Sequence, residues 1–212
     1  ISIFHALNSR AVSRSYAARI GRKYEELNLI VAHLGGGISV SAHHYGKVVD
    51  VNNALNGEGP FSPERAGTLP ARQLVDMCFS GKYTYAEIRK MINGRGGLVA
   101  HLGTTDVQSI IRWAHAGAEK HKLVLDAMLY TVAQQGGAMH IALHGQTDAV
   151  ILTGGIAFND YCIQGLREWL EGLAPIVVIP GEDEMGALAM NALGVLRGEL
   201  TLQEYAPETL SD

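Results

Sequence analysis

The sequence predicts an α/β fold with a mixed sheet, and three observations predict it. Residues 28–51 hold three β-type runs joined by a glycine turn and by Tyr45-Gly46, which read as an antiparallel meander. From about 148 the chain repeats strand, glycine turn and helix twice, the order that builds a sheet with its ligand site at the carboxyl ends of the strands. Between these parts, from about 70 to 144, apolar residues recur at helical spacing.

Taken in order, residues 8–22 form a helix with Ala11, Val12, Tyr16 and Ile20 on one side, Asn8 or Ser9 available as cap, and Gly21 closing it. Strands at 29–33, 37–42 and 47–51 follow. The stretch 52–69 is irregular and rich in Asn, Gly and Pro, and a loop of that length inside a compact domain is usually functional. Helices are expected at 70–80, 84–93, 104–111 and in a long run at 113–144. A strand at 148–153 ends in Gly154-Gly155, a helix covers 159–171, a strand at 176–179 ends in Pro180-Gly181, and a helix covers 183–197.

Composition narrows the function. With 212 residues and 47% hydrophobic content the chain can build a real core. A net charge of −4 lacks the basic excess that phosphate-backbone binding needs, which argues against nucleic acid. No apolar run approaches the ~20 residues of a spanning helix, and the opening residues lack the regions of a signal peptide, so no membrane partner is expected. Cys78 and Cys162 stand far apart and outside any CxxC pattern, which reads as buried free thiols in a reducing cytoplasm.

The turn His33-Leu34-Gly35-Gly36-Gly37 ends a run that reads as a buried strand. Glycines leave no Cβ to keep a ligand away, so backbone N–H groups can approach an anion such as a polyphosphate, although most glycine turns only reverse the chain. The company of this turn is more specific. PheHisAlaLeuAsn at 4–8, HisLeuGlyGlyGly at 33–37, AsnGlyGluGlyProPheSerProGluArgAlaGly at 56–67, ThrGlyGlyIleAlaPheAsn at 153–159 and ProGlyGluAspGlu at 180–184 together resemble the acetate and butyrate kinase family, most closely its butyrate (branched-chain fatty acid) kinases.

That resemblance implies a ribonuclease-H-like domain of the actin, Hsp70 and sugar kinase superfamily, with the active site in a cleft between two such domains. It implies transfer of phosphate from ATP, with Mg²⁺, to a short-chain fatty acid such as butyrate. Acetate or propionate kinase is an alternative within the class, and a non-catalytic nucleotide-binding actin-like module is one outside it. Family members carry a first-domain phosphate hairpin, a catalytic Asp and a substrate-binding Arg ahead of the matching segment, and the 212 residues contain none of them. The sequence is therefore expected to be the later part of an enzyme of roughly 350 residues, inactive alone, partnered by the missing N-terminal domain and part of a homo-oligomer. Within it, residues 1–27 would come from the interdomain region, 28–200 would form the nucleotide-binding domain with a helical insertion at about 70–111, and 201–212 would be a tail.

The resemblance also implies roles. Arg65, in the long loop, and His5 match the residues that donate to the transferring phosphoryl group, as phosphoryl transfer requires. His33, Gly35, Gly36 and Gly37 would receive the phosphates. Gly154, Gly155, Ile156 and Asn159 would lie against the adenosine. Asp106 matches the first residue of an Asp-x-Arg adenosine motif whose arginine is here Gln108. Asp183 and Glu184 stand where the family places its magnesium carboxylate, a position equally suited to a helix N-terminus. Phe4 and Asn52–Leu55 are candidates for the acid pocket. His140 and His144 lack a third ligand for zinc, and His43 and His44 point to opposite faces of a strand.

Overall fold

The computed structural model describes residues 3–198, 200 and 201. They fall into two compact units, divided between Glu182 and Asp183. The first unit contains α1 (Ala6–Arg19), β1 (Asn28–Leu34), β2 (Ile38–His44), β3 (Lys47–Val51), α2 (Ala71–Cys78), α3 (Tyr85–Ile92), α4 (Gly97–Leu102), α5 (Val107–His115), α6 (Glu119–Ala142), β4 (Ala149–Gly154), α7 (Asp160–Leu170) and β5 (Ile176–Pro180). The second contains α8 (Glu184–Leu196).

The five strands form one mixed sheet in the order β3-β2-β1-β4-β5. β1 and β2 pair antiparallel, as do β2 and β3, while β1 pairs parallel with β4 and β4 with β5. This is the ribonuclease-H-like arrangement. Its cause is the length of the connections: Gly35-Gly36-Gly37 and Tyr45-Gly46 are short enough only for hairpins, whereas the links into β4 and β5 carry helices that return the chain to a parallel start. Tyr45 and Gly46 take φ of 47° and 82°, the left-handed pair of a tight hairpin turn.

Side chains alternate between two covered faces, so β1 is buried along its whole length. Ile30, Ala32, Leu34, Ile38, Val40, Val150 and Leu152 face a large core with Leu125, Met128, Leu129 and Val132 of α6 and Leu166 of α7. Leu29, Val31, Ala149 and Ile151 face the other way, toward Val12 and Ala17 of α1, Tyr24 and Leu27. α1 meets the sheet through small polar residues as well: Ser9 and Ser13 are buried, and the Ser13 hydroxyl donates to the Ser9 carbonyl at 2.7 Å.

Several local expectations are corrected. α1 begins two residues earlier than its apolar spacing suggests, with His5 rather than Asn8 or Ser9 at its N-cap, because tertiary partners claim the Asn8 side chain. The 104–111 helix is α5, capped by Asp106 and separated from α4, which periodicity did not show. The 113–144 run breaks at Ala116–Ala118, where Gly117 takes φ of 91°. His144 lies beyond α6 at φ 54°, so it does not share a helical face with His140, whose Nδ1 instead lies 2.8 Å from the Thr147 hydroxyl. Both cysteines are free, but only Cys162 is buried and Cys78 is exposed. Burial raises the Cys162 thiol to about 12, which makes it an inert packing residue.

Candidate active site

The carboxyl ends of β1 and β4 and the start of β2 bring three polar residues into one row. In the sheet register Ser39 of β2 stands opposite His33 of β1, and His33 opposite Thr153 of β4. All three share the face of Val31 and Ile151, so they lie beneath the first turn of α1. From that turn His5 reaches Ser39, with Nδ1 2.9 Å from the hydroxyl, and stacks on His33 with ring centroids 3.7 Å apart and 12° between planes. Asn8, one turn on, places Nδ2 2.8 Å from His33 Nδ1 and donates to Thr153 Oγ1 at 3.2 Å.

His33 is only 2% exposed. Burial, reinforced by the neighbouring His5, pushes its pKa down to about 3, so at neutral pH it is an uncharged ring. Its Nε2 lies 3.4 Å from Oε2 of Glu182, the residue two beyond β5. With His33 neutral this approach is not an ion pair.

The three glycines of the turn serve three different neighbours. A Cβ on Gly35 would stand 3.2 Å from His33 Nε2, and one on Gly36 3.5 Å from Glu64 Oε1. On Gly37 it would run into the Arg65 guanidinium. The loop of 52–69 therefore folds back onto the turn, pinned where the Ser62 hydroxyl donates to the Gly36 carbonyl at 2.6 Å. Arg65 donates through Nη1 to the Ala54 carbonyl, and its Nε is buried with no hydrogen-bond partner among the described residues.

Beside the turn opens a cleft of about 410 Å³. Gly35, Gly36, Asp106, Gly155, Ile156 and Asn159 all line it, although they come from three separate stretches of chain. A Cβ on Gly155 would meet nothing within 4 Å, so this glycine faces open space. Gly154 does not: its φ is 88° and a Cβ there would strike the Leu34 backbone, so it serves the close approach of β4 to β1. Asp106 sits at the rim as the N-cap of α5, where hydrogen bonds from Ser109 hold its carboxyl below the usual range.

Asp183 and Glu184 belong to the second unit. Asp183 caps α8, its Oδ1 accepting from the Gly186 N–H at 2.7 Å. Of the acid-pocket candidates, Asn52 is committed to structure, receiving the Val40 N–H at 2.7 Å and donating to the Ile38 and Glu58 carbonyls. Sequence reasoning missed Asn8, Ser39 and Thr153 as members of the site. The signal for Asn8 was its position three residues after His5, one helical turn away on the same face.

Comparison with known proteins places this chain in a family. The acetokinase family model matches residues 3–175. The chain is 70% identical over 208 residues to a protein of Phocaeicola vulgatus named probable butyrate kinase, covering 98% of this chain and 59% of that protein. It is 50% identical over 204 residues to butyrate kinase 1 of Clostridium acetobutylicum, covering 96% of this chain and 58% of that protein. The crystal structure of Porphyromonas gingivalis acetate kinase superposes with a TM-score of 0.84 at 24% identity, over 91% of this chain and 55% of the other, and shares the fold. The chain thus spans less than two thirds of the length of these relatives, and within that span the fold is the actin-like one of acetate and propionate kinases. By the extent of the family match and the identity to these relatives, this chain belongs to the acetokinase family.

Proposed function

We propose that the protein to which this chain belongs phosphorylates butyrate with ATP, giving butanoyl phosphate and ADP. The observation that carries this reading is the convergence, at the carboxyl end of β1, of the cleft, the glycine turn with Arg65 against Gly37, and the stacked His5–His33 pair. The names of the relatives support butyrate as the acid.

The cleft takes the nucleotide, with the adenosine along Gly155, Ile156 and Asn159 and the phosphates toward Gly35 and Gly36. The Gly155 surface is a cradle that any side chain would fill. A carboxylate oxygen of butyrate attacks the γ-phosphorus as the bond to the β-phosphate oxygen breaks, and charge spreads over the transferring oxygens. Arg65 and His5 donate to those oxygens. Arg65 brings a planar fork and an Nε that no structural partner uses, which fits a role in catalysis better than one in packing.

Magnesium would neutralise phosphate charge, and Asp183 and Glu184 are the carboxylates we assign to it. Mg²⁺ is usually held by one or two carboxylates with water and phosphate oxygens. Two adjacent carboxylates match that habit in number, with water and phosphate oxygens left to complete the set. No helix among the described residues is long and apolar enough to cross a membrane, and the two unpaired cysteines support a cytoplasmic location.

A hydroxamate assay for acyl phosphate, run on the complete protein with ATP and each of butyrate, propionate and acetate, tests the proposal. Turnover highest on butyrate is expected. Nucleotide binding without acyl phosphate from any acid would replace it with a non-catalytic module.

A further inference from the structure

The hydrogen bonds around His33 run in one direction only. The Gly181 carbonyl can only accept, and it receives the Thr153 hydroxyl at 3.0 Å. With its proton spent there, Thr153 Oγ1 must accept from Asn8, which turns the Asn8 amide so that Nδ2 and not Oδ1 faces this side. The same NH₂ group then presents its second hydrogen to His33 Nδ1, 2.8 Å away. His33 Nδ1 is therefore an acceptor, and the ring proton sits on Nε2, toward Glu182 Oε2 at 3.4 Å.

We propose that Asn8 is a positioning residue that holds His33 as the neutral Nε2–H tautomer. A second proton on His33 would have to enter at Nδ1, against the Asn8 donor and on a ring stacked on His5 with centroids 3.7 Å apart. The titratable groups against His33 are His5, from the start of α1, and Glu182, after β5, and the burial of the ring acts in the same direction. For phosphoryl transfer this keeps an uncharged ring of fixed orientation stacked against the histidine that we assign to the phosphoryl group. That consequence rests on the proposed kinase reading, whereas the tautomer itself does not.

Imidazole ¹⁵N resonances of the labelled chain, followed with pH, test the proposal without any turnover. The wild-type His33 should show a pyrrole-type Nε2 and a pyridine-type Nδ1 through neutral pH. A pyrrole-type Nδ1 on His33 would overturn the proposal whatever the variants do. Asn8→Asp places an acceptor against Nδ1 and should move the His33 proton there or protonate the ring fully. Unchanged His33 resonances in a folded Asn8→Asp protein would also overturn it. If the resonances behave as expected and the enzyme makes no acyl phosphate, the kinase reading fails and the tautomer assignment stands.

Discussion

Neighbouring glycines in this molecule do opposite work, and single substitutions can tell them apart. Gly155 faces open space with no backbone strain recorded, so Gly155→Val should leave the fold intact while filling the cradle. ATP affinity is expected to fall at least tenfold, about 1.4 kcal/mol, with little change in thermal midpoint, measured by calorimetry. Gly154→Ala should do the reverse: at φ 88° against the Leu34 backbone it is expected to destabilise by more than about 1 kcal/mol, read by denaturant unfolding. Arg65→Ala in the complete enzyme should lower kcat by roughly 10² to 10³ with little change in KM for ATP. A large rise in KM with kcat preserved would make Arg65 a holder of substrate instead.

At the scale of elements, the site is assembled where helices begin and strands end. α5 opens at Asp106, α7 at Asn159, and α1 at His5, each beside the carboxyl ends of β1 and β4. Asp106 has two claims on it, a structural one from the Gln108 and Ser109 N–H groups at 3.1 and 3.2 Å, and the adenosine contact implied by its position on the cleft. Asparagine caps helices about as well as aspartate. Asp106→Asn should therefore keep the thermal midpoint while lowering ATP affinity by about tenfold if the carboxylate binds the nucleoside. Unchanged affinity with unchanged stability would leave Asp106 as a cap alone.

For the whole molecule, two buried neutral histidines set the response to acid. Burial lowers His33 to about 3, with His5 adding to it, and lowers His43 to about 4, with Arg10 adding to it, from an ordinary value of 6.5. His43 is held between the Tyr24 hydroxyl at 2.6 Å and the Ser41 hydroxyl at 2.9 Å. Below pH 6.5 the unfolded chain takes up protons that the folded chain refuses, so stability is full above that pH and falls as pH drops. The loss is about 1.4 kcal/mol per pH unit for each histidine. It should run to about pH 4 for His43 and to about pH 3 for His33. Urea unfolding at pH 7.5, 6.5, 5.5 and 4.5 measures it, and a flat profile from 6.5 to 4.5 would mean that the two rings titrate freely in the fold.

The sequence by itself determined the strands, the hairpins and the glycine-marked strand ends, because period-two apolar runs and short glycine turns are local signals. It also named part of the cleft lining, since Gly35, Gly36, Gly155, Ile156 and Asn159 stand in motifs that carry their neighbours with them. Only the tertiary structure decided what each glycine is for: Gly37 makes room for Arg65 and Gly154 for Leu34, contacts between residues far apart in the chain. The same holds for Asn8, whose local reading was a helix cap. Its role arises because parallel pairing sets His33 beside Thr153, and α1 crosses the sheet directly above that pair. Register and helix placement are global outcomes of packing, and no window of sequence around Asn8 contains them.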